Sequence, residues 1–329
     1  MPSRRPEPNP KGLQPPRQDA DPFRDLTPPR RPTTGREDLY TRVTNQILAD
    51  LEKGVRPWNK PWNAEHAAGR ITRPLRANGQ PYRGMNVILL WSSAVANGFA
   101  APLWMTFNQA RELGGHVKAG PKGTPVVYAD KFTKTEAKDD GSEEEKDVFF
   151  MKQYTVFNAE QVAGLLERFY ALAAPRLDPV RRIEHVEAFC RNTKAEVRHG
   201  GTSAHYSPND DRVQMPPFEA FEDAESYYAT LLHELTHWTK HATRLDRDFG
   251  RKRFGDEGYA REELVAEIGA SFLCADLELE PVVREDHAAY IAHWLKVLRD
   301  DKRAIFVAAA LAEKAADHLH GLQPRPFDA

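Results

Sequence analysis

From Asp38 onward apolar side chains return every three or four positions, at Leu39, Val43, Ile47, Leu48 and Leu51, and Gly54 follows. That period predicts a helix of about four turns stopped by the glycine. Gly84 to Trp91 is more continuously apolar and predicts a second helix ending by Gly98, and Thr106 to Leu113 a short third one closed by Gly114-Gly115. The pattern then alternates. Val117, a Gly-Pro-Lys-Gly turn and Val126-Val127-Tyr128 predict a hairpin across His116–Phe132, the charged run Glu136–Asp147 predicts a mobile loop, and Val148–Phe150 and Tyr154–Phe157 predict further sheet. Helices followed by strands imply an α+β domain over 37–160, and a stretch containing Pro175 reads as a linker over 161–178. The second domain, 179–329, opens with a helix over Val180–Cys190. Strands around Ala195–Arg198 and Thr202–Met215, the latter with a hairpin at Ala204–Pro216, imply a small antiparallel sheet, and the remainder is helical. Residues 1–36, dense in proline and arginine without apolar periodicity, read as a disordered tail.

One turn within this pattern carries chemistry. Thr230 to Thr239 reads TLLHELTHWT, an HExxH sequence with no charge, proline or glycine in its flanks. Four residues are about one helical turn, so His233 and His237 project from the same face and can bind one ion. Zinc takes neutral imidazole nitrogen and leaves a coordination position for water, which the carboxylate of Glu234 can deprotonate for attack on a carbonyl. The same spacing also arises on ordinary amphipathic helices. Here the frame of Leu231, Leu232, Leu235 and Trp238 indicates burial, and buried imidazoles beside a carboxylate need a partner to offset desolvation.

A catalytic zinc has three protein ligands and an open position. The segment Arg261–Leu273 has a helical pattern with Glu263 and Glu267 one turn apart, the gluzincin arrangement of an acidic helix against the HExxH helix. Glu263 is the expected third ligand, and Glu267 would orient a ligand histidine through its free ring nitrogen; the two roles could be exchanged. A solvated acidic face is the plain alternative. His241 competes as a ligand, but on a continuous helix it would stand roughly 12 Å along the axis from His233. Capping the helix or touching substrate suits it better. In the hairpin before the motif, Tyr206 is a candidate oxyanion contact, with covering the sheet as its ordinary role.

The formal charge of −2 permits no whole-chain argument about partners. No apolar run of about eighteen residues occurs, and the start leads into no apolar signal segment, so a cytoplasmic protein without a membrane partner is expected. Cys190 and Cys274 read as buried free thiols. Locally, Arg56, Lys60, Arg70, Arg73, Arg76 and Arg83 stand against one acid, Glu65, with Trp58, Trp62 and Tyr82 interleaved. Cations with aromatic platforms suit single-stranded nucleic acid, which makes Arg56, Trp58, Lys60, Trp62, Arg73 and Arg83 the candidate contacts. Tryptophans beside prolines also serve as hydrophobic anchors for a loop.

Several blocks together resemble the ArdC family of plasmid-borne antirestriction proteins, whose first domain is similar to one in plasmid primases of the TraC type. They are Leu51–Trp58 with Pro61-Trp62, Tyr82–Asn86, Tyr154–Asn158, Tyr227–Thr239, Arg244-Leu245 and Glu262–Glu267. Lys240 departs from the glycine found in many relatives, which bears on the helix end. The resemblance implies a first domain that binds single-stranded DNA, a second that is a zincin-like metallopeptidase using Zn2+, with Mn2+ or another divalent metal as the alternative, and acting on an unidentified protein substrate, and a role in shielding incoming conjugative DNA from host restriction. A rival from another class is a DNA-masking protein whose metal is structural or regulatory. A nucleic-acid-processing enzyme is weaker, since the first domain has no acidic cluster for paired magnesium ions.

Overall fold

A computed structural model describes residues 38–58, 72–120, 122–137, 143–170, 179–250, 257–279 and 287–324. The tail, the middle of the aromatic loop with Lys60 and Trp62, and residues 171–178 lie outside them. The chain is α+β. In its first half α1 (Leu39–Glu52) is started by Asp38, whose carboxylate accepts the Thr41 amide, and β1 (Leu75–Arg76) follows. Helix α2 (Met85–Asn97) opens at Gly84, whose φ of 55° suits a residue without Cβ, and closes at left-handed Gly98. Then come β2 (Leu103–Thr106), α3 (Phe107–Glu112), β3 (His116–Val117), β4 (Thr124–Ala137), β5 (Glu143–Asn158) and β6 (Val162–Ala163).

The main sheet has the order β1-β2-β5-β4, with β1 and β2 parallel and the other pairs antiparallel. Asn86 on α2 holds the β4 edge from both sides: its Nδ2 donates to the Val127 carbonyl and its Oδ1 accepts the Val127 amide, each at 2.7 Å. Two expectations are corrected here. β3 pairs with β6, not with β4, so the Gly-Pro-Lys-Gly turn joins separate sheets. The charged run is strand where described, since β4 and β5 stay in register out to Ala137 and Glu143. The supposed linker is also ordered where described: β6 and a turn over Glu167–Phe169 bury Val162, Leu165 and Phe169 with Met105 and Ala110.

The second half comprises α4 (Pro179–Asn192), β7 (Glu196–His199), β8 (His205–Ser207), β9 (Arg212–Met215) and helices α5 (Ala224–Trp238), α6 (Glu257–Leu277), α7 (His287–Asp300) and α8 (Ala304–Gly321). Its sheet, order β7-β9-β8, is mixed: β8 and β9 form the expected hairpin, and β7 joins β9 in parallel. Helix α6 is buried nearly all round, with α5 on one flank and α8 on another. Alanines on α8 (Ala308, Ala309, Ala312, Ala315) let it approach closely.

One hydrophobic core crosses the halves. Ile47, Leu51, Trp58, Ile88 and Trp91 from the first pack with Leu264, Ile268, Phe272, Trp294 and Ile305 from the second, and Asp38–Ala329 forms one compact unit. Both cysteines are free thiols whose pKa burial pushes up, Cys190 to about 12. Among the described residues no helix is long and apolar enough to cross a membrane.

Candidate metal centre

Asp223 starts α5 by accepting the Ser226 amide at 2.7 Å, and from Tyr227 to Trp238 every residue is buried. His233 and His237 stand one turn apart with ring centroids separated by 4.9 Å and planes at 79°. Their Nε2 atoms face one carboxylate: His233 Nε2 lies 3.6 Å from Glu263 Oε2, and His237 Nε2 lies 3.4 Å from Glu263 Oε1. One ligand atom from each of the three residues lies within 4.8 Å of the others.

The opposite ring nitrogens each meet an acid. His237 Nδ1 is 3.0 Å from Glu262 Oε1, and His233 Nδ1 is 3.8 Å from Glu267 Oε1. Burial pushes the Glu262 carboxyl up, but hydrogen bonds from Arg247 and His237 bring it down to about 2. An ionised Glu262 can only accept, so His237 Nδ1 carries the proton and a neutral ring leaves its Nε2 lone pair for a cation. Arg247 fixes Glu262 in turn, its Nε and Nη2 donating to the two carboxylate oxygens at 2.8 Å, while Nη2 also donates to the Thr236 carbonyl at 3.0 Å.

The helices must approach closely for this. A Cβ on Gly269 would lie 2.6 Å from Thr236 Cγ2, so α6 meets α5 at a position that only glycine permits without a shift. The field also favours a cation. Burial pulls the His237 pKa down, but the Glu263 charge and hydrogen bonds to Glu262 and Glu263 raise it to about 9. Burial likewise raises Glu263, and the His237 and His233 rings hold it well below the ordinary carboxylate range. Two imidazole nitrogens and a carboxylate oxygen, each backed by a buried partner, fit a divalent metal.

Glu234 is 3 % exposed, in the same buried turn. The acidic face of α6 is not solvated, since Glu262 and Glu267 are buried. Sequence reasoning missed Glu262 and Arg247. The adjacency of Glu262 and Glu263 was a signal, because consecutive helical residues point about 100° apart and can reach different groups; nothing marked Arg247.

His241 joins no ligand group. The helix ends at Trp238, and His241 is half-buried with Nδ1 2.9 Å from Thr243 Oγ1. The oxyanion reading of Tyr206 is corrected: its hydroxyl donates to Asp211 Oδ1 at 2.9 Å and accepts from Arg244 Nη2 at 3.2 Å, so its proton is committed to a carboxylate.

The basic-aromatic reading is corrected at Trp58 and Arg73, while Lys60 and Trp62 lie outside the described residues. Trp58 is fully buried, edge-on to Trp294 with centroids 5.9 Å apart, and has no free face for a base. Arg73 is 5 % exposed; its Nε and Nη2 donate to Asp276 at 2.7 and 2.8 Å, and its Nη1 donates to Glu313 at 2.8 Å. Arg83 is more exposed but pairs with Glu313 at 3.2 Å and with Asp317. Arg56 is half-buried, where burial lowers its pKa and the charge of Glu267 raises it. These cations face acids of the second half.

Two family models match the chain: the N-terminal domain of anti-restriction factor ArdC over residues 37–157, and a zincin-like metallopeptidase over residues 184–311. The metal-free crystal structure of antirestriction ArdC protein from plasmid R388 is 44% identical, covers 87% of this chain and 98% of its own, and superposes with a TM-score of 0.73. The chain belongs to the ArdC family. The Mn(II)-bound structure of the same ArdC protein is 42% identical, with the same coverage of 87% and 98% and a TM-score of 0.70. A Sinorhizobium fredii protein, y4eC, is 42% identical over 304 residues, 91% of this chain and 96% of that one. Escherichia coli DNA primase TraC is 39% identical over 308 residues, which are 86% of this chain but only 27% of the primase.

Proposed function

We propose that this ArdC-family chain is an antirestriction protein that binds single-stranded DNA and carries a metal-dependent peptidase site. The observation that carries the peptidase reading is the convergence of His233 Nε2, His237 Nε2 and Glu263 between the buried carboxylates Glu262 and Glu267. His233, His237 and Glu263 would hold the metal. A divalent cation there, zinc in our reading and manganese as the other candidate, would supply the Lewis acidity that activates water and polarises a scissile carbonyl. Glu234 accepts the water's proton and delivers it to the leaving amine. Glu262, locked by Arg247, keeps His237 in the Nδ1–H tautomer, and Glu267 orients His233. The DNA and antirestriction parts rest on family membership.

The test is Glu234→Gln. The variant should retain the metal and lose cleavage of a casein or peptide-library substrate, and undiminished cleavage would refute the peptidase role. The burial of His233, Glu234 and His237 favours the second reading, a DNA-masking protein with a structural metal. Restriction of incoming plasmid DNA, measured in cells carrying Glu234→Gln, separates the two: protection survives under masking and is lost under peptidase action.

A further inference from the structure

Trp58 and Arg73 are buried, and the first half has a cavity suited to a strand. Between α1, α2, the start of β4 and the turn that follows β5 lies a cavity of about 770 Å³, within the roughly 300–1,000 Å³ typical of ligand sites. Its base is apolar, with Ile47 and Leu89 buried and Phe99 set edge-on to Trp104 at 5.8 Å. Its rim carries Arg42, Lys118 and Lys122. Among the described residues none of the three has a carboxylate at ion-pair distance. Arg42 donates to the Gln153 amide oxygen, and Lys118 Nζ donates to the Glu160 carbonyl at 2.8 Å.

The one lining acid, Glu160, leaves the three cations in excess. Its Oε1 accepts the amides of Ala100 and Ala101 at 2.6 and 2.7 Å. The rim is held firmly as well. A Cβ on Gly123 would lie 2.3 Å from Thr155 Cγ2 and 2.9 Å from Phe157 Cε1, so the backbone beside Lys122 lies tight against β5. Gln161 Nε2 adds a hydrogen bond to the Lys122 carbonyl at 3.1 Å.

An apolar base beneath a cationic rim matches a ligand with a flat, weakly polar face and an anionic edge. We propose that this cavity takes one unpaired nucleotide of a bound DNA strand, its base against Leu89 and the half-buried Phe99 and its neighbouring phosphates on Arg42, Lys118 and Lys122. The assignment rests on the single-stranded-DNA reading above and gives it a place. A duplex keeps its bases stacked and paired, so the site selects single strands.

The experiment is fluorescence anisotropy of the full metal-loaded chain with labelled oligo(dT) across a salt series, with dTMP as a competing probe. The triple variant Arg42→Ala/Lys118→Ala/Lys122→Ala should lose affinity by about tenfold or more, and its log-affinity slope against log salt should shallow by about 2. Ala96→Trp fills the cavity from its exposed wall without changing charge. It should weaken binding by about five- to a hundredfold with the slope kept. Arg198→Ala, an exposed cation on β7, should bind as wild type, and unchanged melting and metal content establish that the variants fold. Wild-type binding with neither cavity variant impaired overturns this assignment and leaves the DNA reading standing. A wild-type chain without affinity for the oligonucleotide overturns the DNA reading and the assignment with it. Capture of dTMP in the cavity with no effect on oligonucleotide binding overturns the strand as occupant.

Discussion

The turn at His233–His237 and the segment at Arg56–Arg83 both carry charged and aromatic residues in suggestive density, yet the structure uses them in opposite ways. In the first, two histidines one turn apart and a glutamate from the next helix point their donor atoms at one small volume. In the second, two of the described residues point into the protein, Trp58 into the shared core and Arg73 between Asp276 and Glu313. A helix converts spacing into direction, so a four-residue repeat fixes where two rings point. An irregular segment does not, and its composition fits an internal ion network as well as an external ligand. Arginine fits both because its planar fork satisfies carboxylates bidentately.

The sharpest test of the contrast is Glu234→Gln in the first region. Removing a general base lowers turnover by about 10²- to 10⁴-fold, and metal content by elemental analysis should not change. Next is Arg73→Met in the second region. Leaving Asp276 and Glu313 without their buried partner should cost about 3–5 kcal/mol in denaturant unfolding, with DNA affinity of the folded protein unaltered. A loss of DNA affinity at unchanged stability would restore the surface reading and break the contrast. Glu262→Gln removes the charged acceptor behind His237 and should weaken metal binding by about 10- to 100-fold, read by competition with a chelating dye.

The smallest effect is on pH. His237 in the metal-free protein has its pKa raised from 6.5 to about 9, so the folded state holds a proton that the unfolded chain releases earlier. That stabilisation is full below about 6.5 and is lost as pH rises through about 9. The denaturation midpoint of metal-free protein should therefore fall across this window, and saturating metal should flatten or reverse the trend.

Much of this was legible in the chain. The α1 stop and the α2 limits follow from apolar period and glycine placement, and the spacing of His233, His237 and Glu263 anticipated residues that the structure brings together. What escaped depended on partners distant in sequence. β3 is two residues long, and its pairing with β6 is set by packing over Val162 and Leu165, not by the turn that follows it. Arg247 lies beyond the motif helix, and its role exists only because α6 brings Glu262 beneath it. The burial of Trp58 required Trp294, more than two hundred positions away, to be its neighbour.

The continuous interior bears on how such a protein can be inherited. Ile47, Trp58 and Trp91 meet Phe272, Trp294 and Ile305 in one cluster, so a recombination crossover between the halves would leave each with a torn apolar face. The alignment with the much longer TraC primase takes in 308 residues and spans both halves. Selection against sticky, half-buried fragments would keep such a pair together as a single piece.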